Sequence, residues 1–260
     1  MSPAGPVFPR KVLLRRAVWL AALLVAILAV GYAVKRYPGD PHFLNAPVPD
    51  FVALFDAPPS KISARTRQEL DEMLAIQARR TPSDIQAARA DRKTDVWQFA
   101  AALGLPPDEM RGLRELRSLA GQVEDDVRSY VRAAKKHFLR LRPYEVEPLL
   151  APCIHNVRRD LSYPSGHAAY GYVMAYLLSE MVPERRRQLM ARAQEFARQR
   201  VVCSVHFPSD IEAGRRGAEW LAQRLLQNEP YRAAAAPVAR ELRAALNLPA
   251  TPLAQAGPAR

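Results

Sequence analysis

Three groups of residues carry side chains suited to chemistry on an anion. Lys135 and Arg142, the latter followed by Pro143, lie seven positions apart beside an apolar stripe of Val123, Val127, Val131, Ala134, Phe138 and Leu141. At about 3.6 residues per helical turn both cations fall on the margin of that face, where they can turn inward. Arg132, Lys136 and Arg140 are expected on the opposite, solvated side. The second group is Tyr163-Pro164-Ser165-Gly166-His167, just before an uncharged stretch. Ser165 can cap a helix and Gly166 lets the backbone approach a ligand. The first amides of the helix supply free donors and a positive dipole end, a ready phosphate site. His167 would stand beside it, placed to donate a proton. The third group is Arg200, His206 and Asp210. A turn can bring the Asp210 carboxylate to one imidazole nitrogen of His206, fixing the tautomer and leaving the other nitrogen free to attack. Ser209 with Glu212 three positions on is a capping-box pattern that sets Asp210 in the first helical turn. Singly, a solvated face, a capping turn and a surface His-Asp pair explain these groups. Together they point to phosphate.

The elements that must position them read as helices. Apolar residues recur at three- and four-residue intervals in a chain rich in Ala, Leu, Arg, Gln and Glu, which predicts helices over 63–79, 82–103, 107–141 with a break near Gly121, 167–181, 183–202, 209–227, and 231–246 interrupted at Pro237. Residues 168–179 hold no charge, and a helix apolar on all sides is buried by others. The expected fold is therefore all-α, a single-domain helical bundle around a buried central helix. It spans 51–248, with a loose tail over 249–260.

The three groups, in this order, resemble the signature of the class A bacterial acid phosphatases, within the superfamily of type 2 phosphatidic acid phosphatases and vanadium haloperoxidases. That signature is Lys, six residues, Arg-Pro; then Pro-Ser-Gly-His; then Arg, five residues, His, three residues, Asp. It falls on Lys135, Arg142-Pro143, Pro164-Ser165-Gly166-His167, and Arg200, His206 and Asp210. Gln199 stands where Ser or Gly often precedes the third motif. The likeness runs from about residue 46 to 219. It implies that Lys135, Arg142 and Arg200, with Ser165 and the Gly166 amide, hold the phosphoryl oxygens. It further implies that His206 attacks phosphorus, oriented by Asp210, while His167 serves as general acid and then base. No metal and no cofactor are implied, vanadate should inhibit, and phosphotransfer to other alcohols is a natural side reaction.

Composition suits one globular domain: 260 residues, 49% apolar and 25% charged, with a formal charge of +12. Arg10, Lys11, Arg15, Arg16, Lys35 and Arg36 place six of those charges in residues 1–36, which contain no acidic residue. Residues 17–34 form an 18-residue uncharged run behind a basic flank, an export segment. Its length approaches the ~20 residues that cross a bilayer, so a cleaved signal peptide and a retained single membrane anchor both stay open. Residues 37–50, with four prolines, read as a linker. The protein is thus expected to be periplasmic or otherwise exported. Cys153 and Cys203 can bridge there or remain two buried thiols. His155 and Asp160 either line the pocket or belong to a plain loop.

The expected partner is a phosphorylated small molecule, with homo-oligomers open and nucleic acid not expected. A non-enzymatic alternative is a basic anion-binding protein, although half the excess charge lies in the leader. Within the superfamily, a lipid phosphate phosphatase would usually set these motifs between several membrane spans. A vanadium-dependent haloperoxidase would usually be a much longer chain.

Overall fold

The computed structural model describes residues 41–154 and 161–250. The leader, His155, Asp160 and the segment after 250 lie outside the described residues. Every regular element described is helical, so the protein is all-α. In chain order these are α1 Val48–Val52, α2 Ala64–Arg79, α3 Pro82–Ala90, a 3-10 turn Val96–Phe99, α4 Ala100–Leu103, α5 Pro107–Gly112, α6 Arg114–Phe138 and α7 Pro143–Val146. Then come α8 Gly166–Met181, a 3-10 turn Pro183–Arg185, α9 Arg186–Val202, α10 Pro208–Gln227 and α11 Glu229–Ala245. Among the described residues no helix is long and apolar enough to cross a membrane.

Local chemistry sets many of these ends. Ser63 caps α2 by accepting from the Thr66 amide at 3.1 Å. Thr81 and Asp84 cap α3 reciprocally, at 3.2 Å and 2.8 Å, with Pro82 in the first turn, where its missing N–H costs nothing.

Helix α8 is the buried centre, packed chiefly against α9 and α10. Two glycines permit that closeness. A Cβ on Gly171 would lie 2.9 Å from the Phe196 ring of α9. One on Gly214 of α10 would lie 2.6 Å from the Ser165 carbonyl and 2.7 Å from the Ala168 Cβ. Such distances are far inside van der Waals contact, so α10 can lie against the first turn of α8 only because residue 214 has no side chain.

Several boundaries differ from the periodicity. The stretch 82–103 is interrupted after Ala90, and Asp95, by accepting a local amide, caps the turn that follows. Asp91 pairs with Arg192 (3.0 Å), Thr94 donates to Glu124 (2.6 Å), and Asp95 accepts from the Trp97 amide (3.1 Å). The stretch 107–141 breaks at Leu113 rather than near Gly121, which sits inside α6. It then ends at Phe138: Leu139 is left-handed (φ 54°), and Pro143 holds Arg142 extended (φ −73°, ψ 155°). Lys135 and Arg142 therefore do not share one helix. By contrast, α11 continues through Pro237.

Part of the expected linker packs. The Phe43 ring meets Tyr231 edge-on at 5.6 Å, Leu44 is buried, and Asp126 accepts from the His42 and Phe43 amides. Cys153 and Cys203 form a disulfide. It ties the loop after α7 to the end of α9, three residues before His206, and a Cys153 N–H to Cys203 carbonyl bond of 3.2 Å supports it.

Candidate active site

Four segments converge at the N-terminus of α8. Lys135, at the end of α6 and buried, donates its ammonium to the Leu161 carbonyl. Arg142, just before α7, donates through Nη1 to the Val205 carbonyl at 2.7 Å and meets His206 Nε2 at 2.8 Å. Ser165 is fully buried and caps α8, its Oγ accepting from the Ala168 amide at 3.3 Å. The Ser165 amide in turn donates to the Asp210 carbonyl at 2.9 Å, so α8 and α10 start from one bonded point. A Cβ on Gly166 would meet nothing nearer than Val131 Cγ1 at 3.6 Å. Arg200, near the end of α9, is 1% exposed and donates through Nη2 to the Ala88 carbonyl at 2.6 Å. Among the described residues its Nε has no partner, an unpaired donor in a buried site.

The tautomers of both histidines follow from their partners. A guanidinium only donates, so His206 Nε2 carries its lone pair toward Arg142. Its Nδ1–H then donates to Asp210 Oδ2 at 3.2 Å. A carbonyl only accepts, so His167 Nε2–H donates to the Arg92 carbonyl at 2.9 Å and Nδ1 is left to exchange a proton. The His167 ring also stacks on Phe196, 5.6 Å between centroids.

Asp210 occupies the third position of α10, and its Oδ2 accepts from the Phe207 amide at 2.8 Å, closing the first turn. Asp210, rather than Glu212, is thus the capping carboxylate; Glu212 pairs with Arg215 at 2.7 Å. Asp210 Oδ2 also accepts from the Ser162 hydroxyl.

Arg140 overturns its expected place on a solvated face. It is 8% exposed and donates to Asp210 Oδ1 at 2.7 Å, to the Ser209 hydroxyl at 2.7 Å and to Glu69 Oε2 at 3.1 Å. The helix ends before it, so helical spacing says nothing about where it points. Glu69 and the Arg92 carbonyl reach the site from other segments and leave no signal in the sequence, while Ser162 lies directly before the second group and carries no motif of its own. Arg132 and Lys136 do not enter this network.

Burial and the cations act on the imidazoles. Burial pushes the pKa of His206 well below its usual 6.5, with Arg142, Lys135, His167 and Arg200 adding to the effect. Burial first and Arg200 next lower His167 to about 3, against the opposing pull of the Arg92 carbonyl. Burial lowers Arg200 to about 10, still cationic in acid and at neutrality. Without an anion, both histidines are therefore neutral in mildly acidic solution. An arriving dianion cancels the cations and raises both values, so binding should take up protons below the ordinary histidine pKa of 6.5. Sulfate, a dianion throughout this range, is the clean probe. Calorimetry in mildly acidic buffers of different ionisation enthalpy should report net uptake, reduced in His167→Ala; zero uptake or release would contradict the electrostatics.

Residues 127–224 match the PAP2 superfamily. A non-specific acid phosphatase of Salmonella typhimurium is 44% identical over 86 residues, 32% of this chain and 34% of that protein. The match thus spans about a third of that relative's length. A non-specific acid phosphatase of Providencia stuartii is 26% identical over 82% of this chain and 89% of its own. An acid phosphatase of Zymomonas mobilis is 28% identical, with coverages of 76% and 79%. A solved transmembrane PAP2-type phosphatidylglycerolphosphate phosphatase from Bacillus subtilis superposes with a TM-score of 0.45 at 19% identity, over 68% of this chain and 89% of that one.

Proposed function

We propose, from the match of residues 127–224 to the PAP2 superfamily, that the protein is an exported acid phosphatase hydrolysing phosphate monoesters through a phosphohistidine. The observation that carries this reading is the bare Nε2 of His206, held toward Arg142 at 2.8 Å while Nδ1 donates to Asp210. A neutral imidazole with a lone pair at one nitrogen and a carboxylate at the other is a nucleophile ready to become a stabilised cation.

In the proposed reaction Lys135, Arg142, Arg200, Ser165 and the Gly166 amide take the phosphoryl oxygens. Arg200 Nε, which has no partner among the described residues, suits such an oxygen. The protein carbonyls now accepting from Lys135 and Arg142 are neutral, and a phosphate is the stronger acceptor. Nε2 attacks phosphorus as the ester P–O bond breaks, and the alcohol leaves with a proton from His167. His167, now neutral, takes a proton from water; the water oxygen bonds phosphorus, and the P–N bond breaks with its electron pair returning to Nε2. Acidic pH favours the first step once bound phosphate has raised the His167 pKa. Export is supported by the Cys153–Cys203 bridge, which persists in oxidising compartments.

The test is turnover of several alkyl and aryl phosphate monoesters by the purified chain in the presence of a chelator. The expected result is an acidic optimum, competitive inhibition by vanadate and a base-stable, acid-labile phosphoenzyme. No turnover of any ester, or activity restored only by added divalent metal, would sink the reading.

A further inference from the structure

Resting on the reading of His206 as nucleophile, we propose that Arg140, held by Glu69, is a positioning residue that draws part of the Asp210 charge away from His206, keeping the imidazole unprotonated and its phosphoryl bond labile.

The geometry divides the carboxylate between two tasks. Oδ2 serves the imidazole, the Phe207 amide and Ser162, while Oδ1 serves Arg140 at 2.7 Å. Arg140 is held by several contacts: the Phe207 ring lies 3.9 Å from its guanidinium carbon, and it also donates to Ser209 and Glu69. Glu69 is itself satisfied by the Ser209 amide at 2.8 Å and the Ser209 hydroxyl at 3.0 Å. The Asp210 contact is the shorter of the two made to carboxylates, 2.7 against 3.1 Å, so Arg140 acts mainly on Asp210. With Asp210 fully anionic and unshared, His206 would be more basic. A more basic imidazole is more often protonated in acid and is a poorer leaving group when water displaces it from phosphorus. The other charged or titratable groups facing His206 are Arg142, Lys135, His167 and Arg200. These already disfavour the imidazolium, and Arg140 keeps Asp210 from reversing their effect.

The test follows the His206 imidazole by NMR across pH, assigned through its loss in His206→Ala, together with the lifetime of trapped phosphoenzyme. Arg140→Gln should raise the His206 titration midpoint by about one pH unit, the scale of a neighbouring charge, and lengthen the phosphoenzyme lifetime. Arg140→Lys should restore both. Glu69→Gln frees Arg140 for Asp210 and should shorten the lifetime and lower the midpoint. A purely structural role would not move the two substitutions in opposite directions. Should Arg140→Gln fail to fold, Glu69→Gln decides alone. An unchanged or lowered midpoint in folded Arg140→Gln, or a lengthened lifetime in Glu69→Gln, overturns the proposal. If the unsubstituted protein traps no phosphoenzyme, the catalytic reading falls, while the order of the midpoints still decides the electrostatic one.

Discussion

His206→Ala is expected to bring phosphate ester turnover down to background, a loss of about 10⁶-fold if this site behaves as others do when a covalent nucleophile is removed. No nitrogen remains to form the P–N bond. The substitution should spare the fold, because each partner of His206 has other anchors. Arg142 keeps the Val205 carbonyl at 2.7 Å, and Asp210 keeps Arg140 at 2.7 Å and the Phe207 amide at 2.8 Å. Circular dichroism and sulfate affinity should therefore stay close to the parent's while alkali-quenched protein, unlike the parent, carries no labelled phosphate. Residual turnover accompanied by trapped phosphoenzyme would assign the nucleophile to another residue.

His167→Ala should act differently on different leaving groups. An alkyl oxygen must be protonated as it departs, so alkyl phosphates should lose on the order of 10²–10⁴-fold in rate. A p-nitrophenyl oxygen leaves readily as an anion, so formation of the phosphoenzyme from that ester should fall much less. Its breakdown should still be slow, since Nδ1 of His167 no longer takes the proton of the attacking water. Rapid quench should then show phosphoenzyme accumulating on His206. Equal losses for both esters, without accumulation, would mean that His167 only packs against Phe196, from which it lies 5.6 Å ring to ring.

Much of this site is legible in the amino-acid order because its chemistry depends on residue type at short range. Ser165 caps the helix it precedes, Asp210 sits one turn after His206, and an uncharged run of a dozen residues is a helix that others must cover. These relations span a few residues, and local backbone geometry enforces them wherever the chain folds. The order of Lys135, Arg142, His167, Arg200 and His206 likewise points to phosphate from the sequence alone.

Contacts between distant segments, by contrast, come into being only on folding. Periodicity carried the helix through residue 141 and so sent Arg140 to solvent, whereas the chain turns at Leu139 and buries it. Glu69 lies 71 positions before Arg140, and Arg92 offers its carbonyl to a histidine 75 positions away. A carbonyl acceptor has no sequence signature, since every residue owns one. The pairing of Cys153 with Cys203 stayed open for the same reason, because two thiols announce a bridge only once their segments have met. The residue types proposed to react stand in short local patterns that the chain itself displays. Their tautomers, charges and partners depend on burial and long-range packing, which arise only when the helices close around α8.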